Sequence, residues 1–279
     1  MSLPRCFGVL GDPVAHSRSP AMHAAAFASL GLGHRYLAFH VDAAGLAAAI
    51  GGARALGFGG LNLTVPHKQA AVALCDELSP RARRIGAVNT IAFEGSRILG
   101  DNTDAPGFAA AVAELGDAAI EDAVVLGGGG AALAVIDALL QDLRVGEVRW
   151  VSRDPAALRA TIAARPEWAR VQPRSYAALA TAPLACDLLV HCTTVGMRGG
   201  PAALPVELGL AGPRPGARVI DAVYPRPVGG LLDQAAARGW LVQDGLAMLL
   251  WQGVRALERW LARPLPPATI AAMRAALTA

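Results

Sequence analysis

The stretch DAVVLGGGGAALAVIDALL, residues 122–140, contains an apolar strand pattern, four glycines and an apolar helical pattern in direct succession. Gly127, Gly129 and Ala132 match the spacing G-x-G-x-x-A. Small residues at this spacing let the chain turn tightly and let a pyrophosphate approach the positive N-terminus of the following helix. Glycines alone could form an ordinary tight turn, but their place between a strand and a helix predicts dinucleotide binding. The predicted turn comprises Gly127, Gly128, Gly129, Gly130 and Ala131.

Strand and helix patterns alternate on both sides of this turn. After it, EVRWVSRD, CDLLVHCT and ARVIDAVY predict further strands. Before it, three apolar runs each precede a helical segment: RCFGVLG before SPAMHAAAFASLG, HRYLAFHV before AAGLAAAIGGARALG, and GGLNLTV before PHKQAAVALCDEL. The run VNTIAFEGSRILGDN predicts a hairpin turning at residues 94–96, and two helices are predicted after Gln243. This alternation is typical of the α/β class, in which helices cover parallel sheets.

Length and composition limit the classes of protein to consider. With 279 residues, 54% of them hydrophobic, we expect two domains with sizeable cores. Four scattered cysteines lack Cys-x-x-Cys spacing, so we expect no metal site and no disulfide framework. We recognise no targeting signal and no membrane-spanning run, and we expect a cytoplasmic protein. The net charge is +3, but the basic residues are spread out without interleaved aromatics, so we expect no nucleic-acid binding.

Lys68 is the only lysine, whereas the other 24 of the 25 Lys and Arg residues are arginine. A codon bias toward Arg, Ala, Gly and Pro explains the arginines, but it does not place the residues that such a bias removes. The only three asparagines, Asn62, Asn89 and Asn102, lie in the same part of the chain as Lys68. This clustering indicates a functional site in that segment.

Five separated segments occur in the order typical of one family. They are HSRSP at 16–20, NLTVPHK at 62–68, GAVNT at 86–90, GDNTD at 100–104 and DGLAMLLWQ at 244–252. In these segments, from residue 7 to about residue 255, the chain resembles the shikimate dehydrogenases. The resemblance implies reversible reduction of 3-dehydroshikimate to shikimate in aromatic (chorismate) biosynthesis, with a nicotinamide cofactor and a small-molecule substrate. We expect a monomer or homodimer.

The resemblance also implies a domain organisation. An α/β substrate-binding domain would comprise residues 1–105 and 244–279, with the C-terminal helices returning to it. A doubly wound, Rossmann-like dinucleotide-binding domain would comprise residues 106–243. In the family these two domains face each other across a cleft.

Lys68 and Asp104 match the catalytic positions of the family. Hydride delivery to a ring carbonyl creates an oxyanion that needs a proton. Lys68 can give that proton, while Asp104 holds the ammonium and accepts a hydrogen bond from a substrate hydroxyl. An arginine does not readily give a proton, because its pKa lies above about 12. The alternative is an ordinary ion pair at a domain edge. Asp101 is also close in sequence, but the N-T-D triplet selects Asp104.

Six further residues match substrate positions of the family. The hydroxyls of Ser17 and Ser19 could donate to the substrate carboxylate, and the alternative is that they cap the helix beginning at Pro20. An isolated Asn or Gln is more often a turn or surface residue, but the motifs place the remaining residues at the site. Those carried over as hydroxyl or cleft partners are Thr64, Asn89, Gln252 and Tyr224. Ser19 in place of Thr favours shikimate over quinate.

The cofactor is predicted to be NADP, with NAD as the alternative. The strand VRWVS ends in Ser152, where NAD-selective domains often carry an acid, and Arg153 could reach a 2′-phosphate. Asp154 and Ala157 depart from the family's Thr or Ser and second basic residue, which would weaken that phosphate pocket. Ala222 and Gly245 are assigned as further cofactor-binding positions.

Two residues depart from the family's pattern, and the sequence is compatible with two alternative functions. His191 stands where the family usually has Asn, and Gly229 replaces the usual Thr. We interpret His191 as a packed residue at a strand end that could alter contacts near the nicotinamide. One alternative function is an NAD-dependent enzyme acting on quinate or a similar polyol. The other is a non-catalytic dinucleotide-binding regulator on the same fold.

Overall fold

The computed structural model describes residues 3–181, 183–197, 200–224 and 228–278. The chain forms two compact units, which are described separately. The first is Met1–Gly107 with Leu249–Ala279, and the second is Phe108–Met248. In the part of the chain that the structure describes, none of the helices combines the length and the hydropathy that a membrane-spanning helix requires.

The first unit contains a mixed sheet with strand order β2-β1-β3-β5-β6-β4. β1 pairs with β2 and β3 in parallel, whereas β5 pairs antiparallel with both β3 and β6. The predicted hairpin is confirmed, since β5 and β6 join through residues 95–96. The strands are β1 (Cys6–Gly11), β2 (Arg35–His40), β3 (Gly60–Leu63), β4 (Glu77–Leu78), β5 (Thr90–Glu94) and β6 (Arg97–Asp101).

Helices cover both faces of this sheet. On one face, Phe7 and Val9 pack with apolar residues of the N-terminal and C-terminal helices, and on the other Leu10 packs with Leu46 and Ile50. Burial on both faces explains why β1 is apolar almost throughout. The helices that belong wholly or partly to this unit are α1 (Ser19–Ser29), α2 (Leu46–Ala55), α3 (Pro80–Ile85), α4 (Asp104–Ala113), α8 (Gly245–Leu261) and α9 (Pro267–Thr278).

The C-terminal helices return to the first unit, as predicted. The indole nitrogen of Trp260 donates to the carbonyl oxygen of Ile91 at 2.9 Å. The hydroxyls of Ser29 and Thr269 lie 3.0 Å apart. These contacts join α8 to β5 and α9 to α1, so the last two helices complete the core of the N-terminal sheet.

The segment PHKQAAVALCDEL is not the regular helix that its composition predicts. It contains a short 3-10 helix, Ala70–Leu74, after which Cys75 is extended and β4 begins. Glu77 and Leu78 pair in parallel with Leu99 and Gly100 of β6. The prediction was wrong because pairing with a distant strand outweighs the helix propensity of a short Ala-rich run.

The second unit is a doubly wound sheet with all strands parallel, in the order β12-β11-β10-β7-β8-β9. Read from β9 to β12, this is the order 3-2-1-4-5-6 of Rossmann folds, so the predicted fold class is confirmed. Its strands are β7 (Asp122–Leu126), β8 (Glu147–Ser152), β9 (Val171–Ser175), β10 (Leu188–His191), β11 (Arg218–Asp221) and β12 (Leu241–Gln243). The helices between them are α5 (Gly130–Gln141), α6 (Pro155–Ala163) and α7 (Leu231–Ala236).

Candidate active site

The topology of the first unit brings its predicted site residues to one edge of the sheet. β1 and β3 are parallel, and β6 has the same direction because it is joined to β3 through two antiparallel pairings with β5. The carboxyl ends of β1, β3 and β6 therefore share an edge with the amino end of β5. Ser17 and Ser19 follow β1, Thr64 and Lys68 follow β3, Asn89 precedes β5, and Asp104 follows β6.

Lys68 forms an ion pair with Asp104 at this edge. Its ammonium nitrogen donates to Oδ2 of Asp104 at 2.7 Å, and only 15% and 7% of the two side chains are exposed. Water therefore screens the pair weakly. An ammonium in such a position carries protons that it can give, next to a carboxylate with a second oxygen able to accept a hydrogen bond.

Local structure fixes both members of this pair. Asp104 occupies the first turn of α4, where the helix dipole stabilises a carboxylate. Asn102 supports that turn: its Oδ1 accepts the N–H of Ala105 at 3.3 Å, and its Nδ2 donates to the carbonyl of Ala87 at 3.0 Å. The carbonyl of Lys68 accepts the N–H of Val88 at 2.7 Å, which joins the lysine segment to the residues that lead into β5.

Asp101, the competing carboxylate in the sequence, is bound elsewhere. It accepts the hydroxyl of Ser79 at 2.5 Å and lies 3.2 Å from a guanidinium nitrogen of Arg259. These contacts join β6 to α3 and α8. The structure pairs Lys68 with Asp104 instead.

Asn89 and Gln252 meet in a buried polar network. Nδ2 of Asn89 donates to Oε1 of Gln252 at 3.4 Å, and Oδ1 of Asn89 accepts the N–H of Thr103 at 2.7 Å. The side chain of Gln252 also donates to the carbonyl of Leu249 at 2.8 Å. Asn89 is 2% exposed and held on both sides. The network therefore fixes Asn89 against Thr103, which directly precedes Asp104 in the chain.

The network extends away from the site through residues that the sequence did not assign to it. The hydroxyls of Thr90 and Thr103 lie 2.9 Å apart, and the hydroxyl oxygen of Thr90 accepts Nδ2–H of Asn62 at 3.0 Å. Oδ1 of Asn62 in turn accepts the hydroxyl of Tyr36 at 2.8 Å. Asn62 therefore supports the site from within the core. Asn62, Thr90 and Thr103 lie within the segments NLTVPHK, GAVNT and GDNTD, but those motifs did not reveal the hydrogen bonds between them.

The N-terminus of α1 differs from the capping alternative. The N-cap is Arg18, whose side chain makes no capping hydrogen bond. The Ser17 hydroxyl accepts the N–H of Ser19 at 3.3 Å, and the helix begins at Ser19, which is 5% exposed. The alternative in which both serines cap a helix beginning at Pro20 was wrong, because the chain already turns at Ser17. The methyl group of Thr64 lies against Gly11, next to this turn.

In the second unit, the glycine turn joins β7 to α5 as predicted. Gly127 has a φ of 120°, and a Cβ there would lie 2.7 Å from the carbonyl oxygen of Cys192. A larger residue would be strained by its backbone and by this contact. Gly129 is the extended N-cap of α5, and a Cβ there would meet open space. The turn therefore leaves the N-terminus of α5 accessible to an anionic group.

The other predicted cofactor residues lie after neighbouring strands of the same sheet. Gly245 lies against the carbonyl oxygen of Ala222 and the ring of Tyr224, which follow β11. Pro225, Arg226 and Pro227 lie outside the described residues.

Ser152 ends β8, and its hydroxyl accepts the N–H of Asp154 at 3.1 Å. Arg153 is exposed between them. The carboxylate of Asp154 accepts the N–H groups of Ala156 and Ala157 at 3.0 and 3.1 Å, so it is the N-cap of α6. This explains an acid at position 154, where the resemblance leads us to expect Thr or Ser, because all three residue types cap helices.

The sequence of this chain is similar to those of known proteins. A family model of the shikimate dehydrogenase substrate binding domain matches residues 9–91. A shikimate dehydrogenase (NADP(+)) of Rubrobacter xylanophilus is 43% identical over 273 residues, covering 93% of this chain and 94% of the relative. This chain belongs to the shikimate dehydrogenase family.

Two solved structures related to this shikimate dehydrogenase family member differ in the substrate for which they are named. A shikimate 5-dehydrogenase of Thermus thermophilus, in complex with NADP(H) and shikimate, has 39% identity and a TM-score of 0.83, covering 98% of this chain and 99% of its own. A ligand-free 5-ketofructose reductase of Gluconobacter sp. strain CHM43 has 31% identity and a TM-score of 0.83, with coverages of 100% and 99%. The fold alone therefore does not choose the substrate.

The two departures from the shikimate dehydrogenase pattern have structural explanations. Gly229 has a φ of 71°, a backbone conformation that the β-branched threonine rarely adopts. Its N–H donates to Oδ2 of Asp233 at 2.6 Å. His191 is 3% exposed and contacts Asp221, a residue that the sequence did not assign to the site.

Among the described residues, no group of three or more His, Cys, Asp or Glu side chains is placed to hold a metal ion.

Proposed function

We propose that this protein is an NADP-dependent shikimate dehydrogenase that reversibly reduces 3-dehydroshikimate to shikimate in chorismate biosynthesis. The observation that carries the proposal is the poorly exposed Lys68–Asp104 pair at the edge of the first sheet. The first unit would bind the substrate and the second the dinucleotide.

The second unit fits a dinucleotide. The positive φ of Gly127 and the open space at Gly129 expose the N-terminus of α5, where backbone N–H groups and the helix dipole favour a pyrophosphate. Gly128, Gly130 and Ala131 would complete that turn, and Ala222 and Gly245 would line the site after β11 and β12. When bound, NADPH supplies the hydride for the carbonyl carbon. Arg153 would hold the 2′-phosphate, with Ser152 beside it.

The chain's own contribution to the chemistry is a proton. As the carbonyl carbon gains a hydride, its oxygen becomes an alkoxide, and Nζ of Lys68 gives that oxygen a proton. The ammonium also stabilises the developing negative charge before transfer is complete. Asp104 holds Nζ in place and accepts a hydrogen bond from a neighbouring substrate hydroxyl. Lys68 then recovers a proton from water, and the reverse reaction uses the neutral amine as the base.

The remaining polar groups match a carboxylated triol. Ser17 and Ser19 would donate to the carboxylate near the N-terminus of α1, where the helix dipole favours an anion. Thr64, Asn89 and Gln252 would contact ring hydroxyls, and Tyr224 would contribute from the segment after β11. The buried network behind Asn89 supports this assignment because it restricts the amide to one orientation.

The test compares Lys68→Met, Lys68→Arg and a surface control, Arg97→Met, whose side chain is about half exposed at 52%. Saturating shikimate and NADP+ are supplied, and kcat is measured by NADPH formation. Methionine should lower kcat by roughly 10²- to 10⁴-fold. Arginine should fail almost as badly, since it keeps its proton at any working pH. The control should match the wild type. A Lys68→Arg variant within a few-fold of wild type would show that fixed charge is sufficient.

The same assay with other substrates separates the alternatives. Quinate used as well as shikimate would favour the broader polyol enzyme, and 5-ketofructose reduction without shikimate oxidation would reassign the substrate. NADP+ binding without turnover of any of them would favour a non-catalytic regulator. A cytoplasmic location and a monomeric or homodimeric state remain our predictions, and light scattering tests the latter.

A further inference from the structure

A chain of hydrogen bonds runs through His191 in the second unit. Nδ1 of His191 lies 2.8 Å from Oδ1 of Asp221, and Nε2 contacts the hydroxyl of Thr193. At one end, Thr193 Oγ1 accepts the N–H of Val195 at 3.1 Å. At the other, Asp221 Oδ1 accepts the N–H of Val223 at 3.0 Å. We call these five residues the His191 chain.

The carboxylate of Asp221 sets the direction of the bond to His191. The carboxylate can only accept, so Nδ1 of His191 carries the hydrogen toward Asp221. Nε2 of His191 and the Thr193 hydroxyl hydrogen-bond to each other, and the oxygen of that hydroxyl also accepts the N–H of Val195. The contacts run without a break from the N–H of Val195, through Thr193, His191 and Asp221, to the N–H of Val223. The imidazole thus joins two backbone N–H groups that are far apart in sequence.

The His191 chain connects three segments at the carboxyl edge of the sheet. Val195 belongs to the segment after β10, and Val223 to the segment after β11. The same β10 segment packs against the glycine turn, because the carbonyl of Cys192 and the methyl of Thr193 lie beside Gly127. β7 and β10 are neighbours where the strand order reverses, and dinucleotides bind outside the carboxyl ends of strands at that point.

We infer that His191 is a positioning residue for the dinucleotide site, acting through Thr193 and Asp221. It fixes the segments after β10 and β11 against the glycine turn, so that the surface meeting the cofactor is formed before binding. The inference rests on the proposed function, since it takes the second unit to be the cofactor domain. An asparagine at 191 could keep the contact with Asp221, but its shorter side chain would not also reach Thr193.

The experiment breaks the contact between His191 and Thr193, first from one partner and then from the other. Thr193→Val deletes the hydroxyl while keeping the shape, and Thr193→Ser restores it. His191→Asn tests the loss of the Thr193 contact from the other partner. Thr181→Val, an exposed position in the same unit, is the control. Kd for NADP+ is measured by calorimetry without substrate, and hydrogen exchange at Val195 and Val223 is followed by mass spectrometry or NMR.

We expect Thr193→Val and His191→Asn to weaken NADP+ binding by about tenfold, the scale of one hydrogen bond of ordinary net strength. KM for NADP+ should rise in parallel while kcat changes little. The Val195 amide should lose protection in both variants, whereas Val223 should keep it. Thr193→Ser and the control should bind NADP+ as the wild type does.

Three results would overturn the inference: unchanged Kd in both variants, weaker binding without faster exchange at Val195, or no rescue by serine. Because binding is measured without substrate, a wild type that binds NADP+ but does not oxidise shikimate would refute the proposed function and leave this inference intact. A wild type that binds no dinucleotide would refute both.

Discussion

His23, in α1, is predicted to make the stability of the protein strongly dependent on pH. Its side chain is completely buried, and neither ring nitrogen has a hydrogen-bond partner in the described part of the chain. The imidazole stacks on the ring of Tyr36, with centroids 4.2 Å apart. Burial lowers the pKa of His23 from 6.5 to about 3. The folded protein therefore keeps this imidazole neutral over a range of pH in which the unfolded chain protonates it.

The sign and size of the effect follow from that difference. Below pH 6.5, His23 is protonated in the unfolded state but stays neutral in the folded state. The free energy of unfolding therefore falls as the pH falls toward 3. One pH unit in this range costs about 1.4 kcal/mol. Between pH ~7.5 and pH ~5.0 the loss due to His23 should be about 2 kcal/mol, because only the part below the unfolded pKa counts.

Urea unfolding of the wild type and of His23→Leu, at both pH values, isolates this contribution. Leucine changes the packing, but that change is the same at both pH values and cancels in the comparison. The wild type should lose about 2 kcal/mol more than the variant on acidification. Replacing the exposed His16 by Gln should leave the wild-type loss unchanged. Equal losses in wild type and His23→Leu would mean that the buried imidazole accepts a proton in the folded state.

Three further predictions concern binding. Gly127→Ala should weaken NADP+ binding at least about tenfold in calorimetry, because Gly127 has a φ of 120° and lies beside the Cys192 carbonyl. Gly212→Ala, with open space around it, should bind NADP+ as the wild type does, and similar affinities in the two variants would contradict the role of the glycine turn. Arg153→Ala should raise KM for NADP+ about tenfold and leave KM for NAD+ nearly unchanged, and equal or better use of NAD+ by the wild type would refute the preference. Ser19→Thr should narrow the preference for shikimate over quinate, which we expect to be about 1–3 kcal/mol in kcat/KM; a wild type without that preference would remove the role given to Ser19.

The sequence predicted those features that depend on local pattern. The glycine turn lies directly between a strand and a helix, so the sequence alone showed that it connects these two elements, β7 and α5. The Lys68–Asp104 pair was assigned through short motifs, each of which includes its reactive residue. In both cases the residues that specify the feature are close together in the chain.

Features that depend on strand register were missed or wrong. Asn62 supports Asn89 because it lies opposite Thr90 in the pairing of β3 with β5, and no local pattern reveals that register. The pairing of β4 with β6 overrode a helix-forming segment for the same reason. His191 is a buried residue at the end of β10, as the sequence predicted, but its partner Asp221 was missed because it comes from a neighbouring strand.

The position of Lys68 also makes the protein a natural single-site target for amine chemistry. It is the only lysine in the sequence, and its side chain is 15% exposed and bound to Asp104. A small acylating reagent therefore has one side-chain amine to modify, and that amine lies within the proposed active site. The fraction of molecules acylated at Lys68, measured from peptide masses, would report the fraction in which the site is accessible to the reagent. A ligand occupying that site would protect the lysine from the reagent, so ligand affinities could be measured from the extent of acylation, without turnover and without a substitution in the chain.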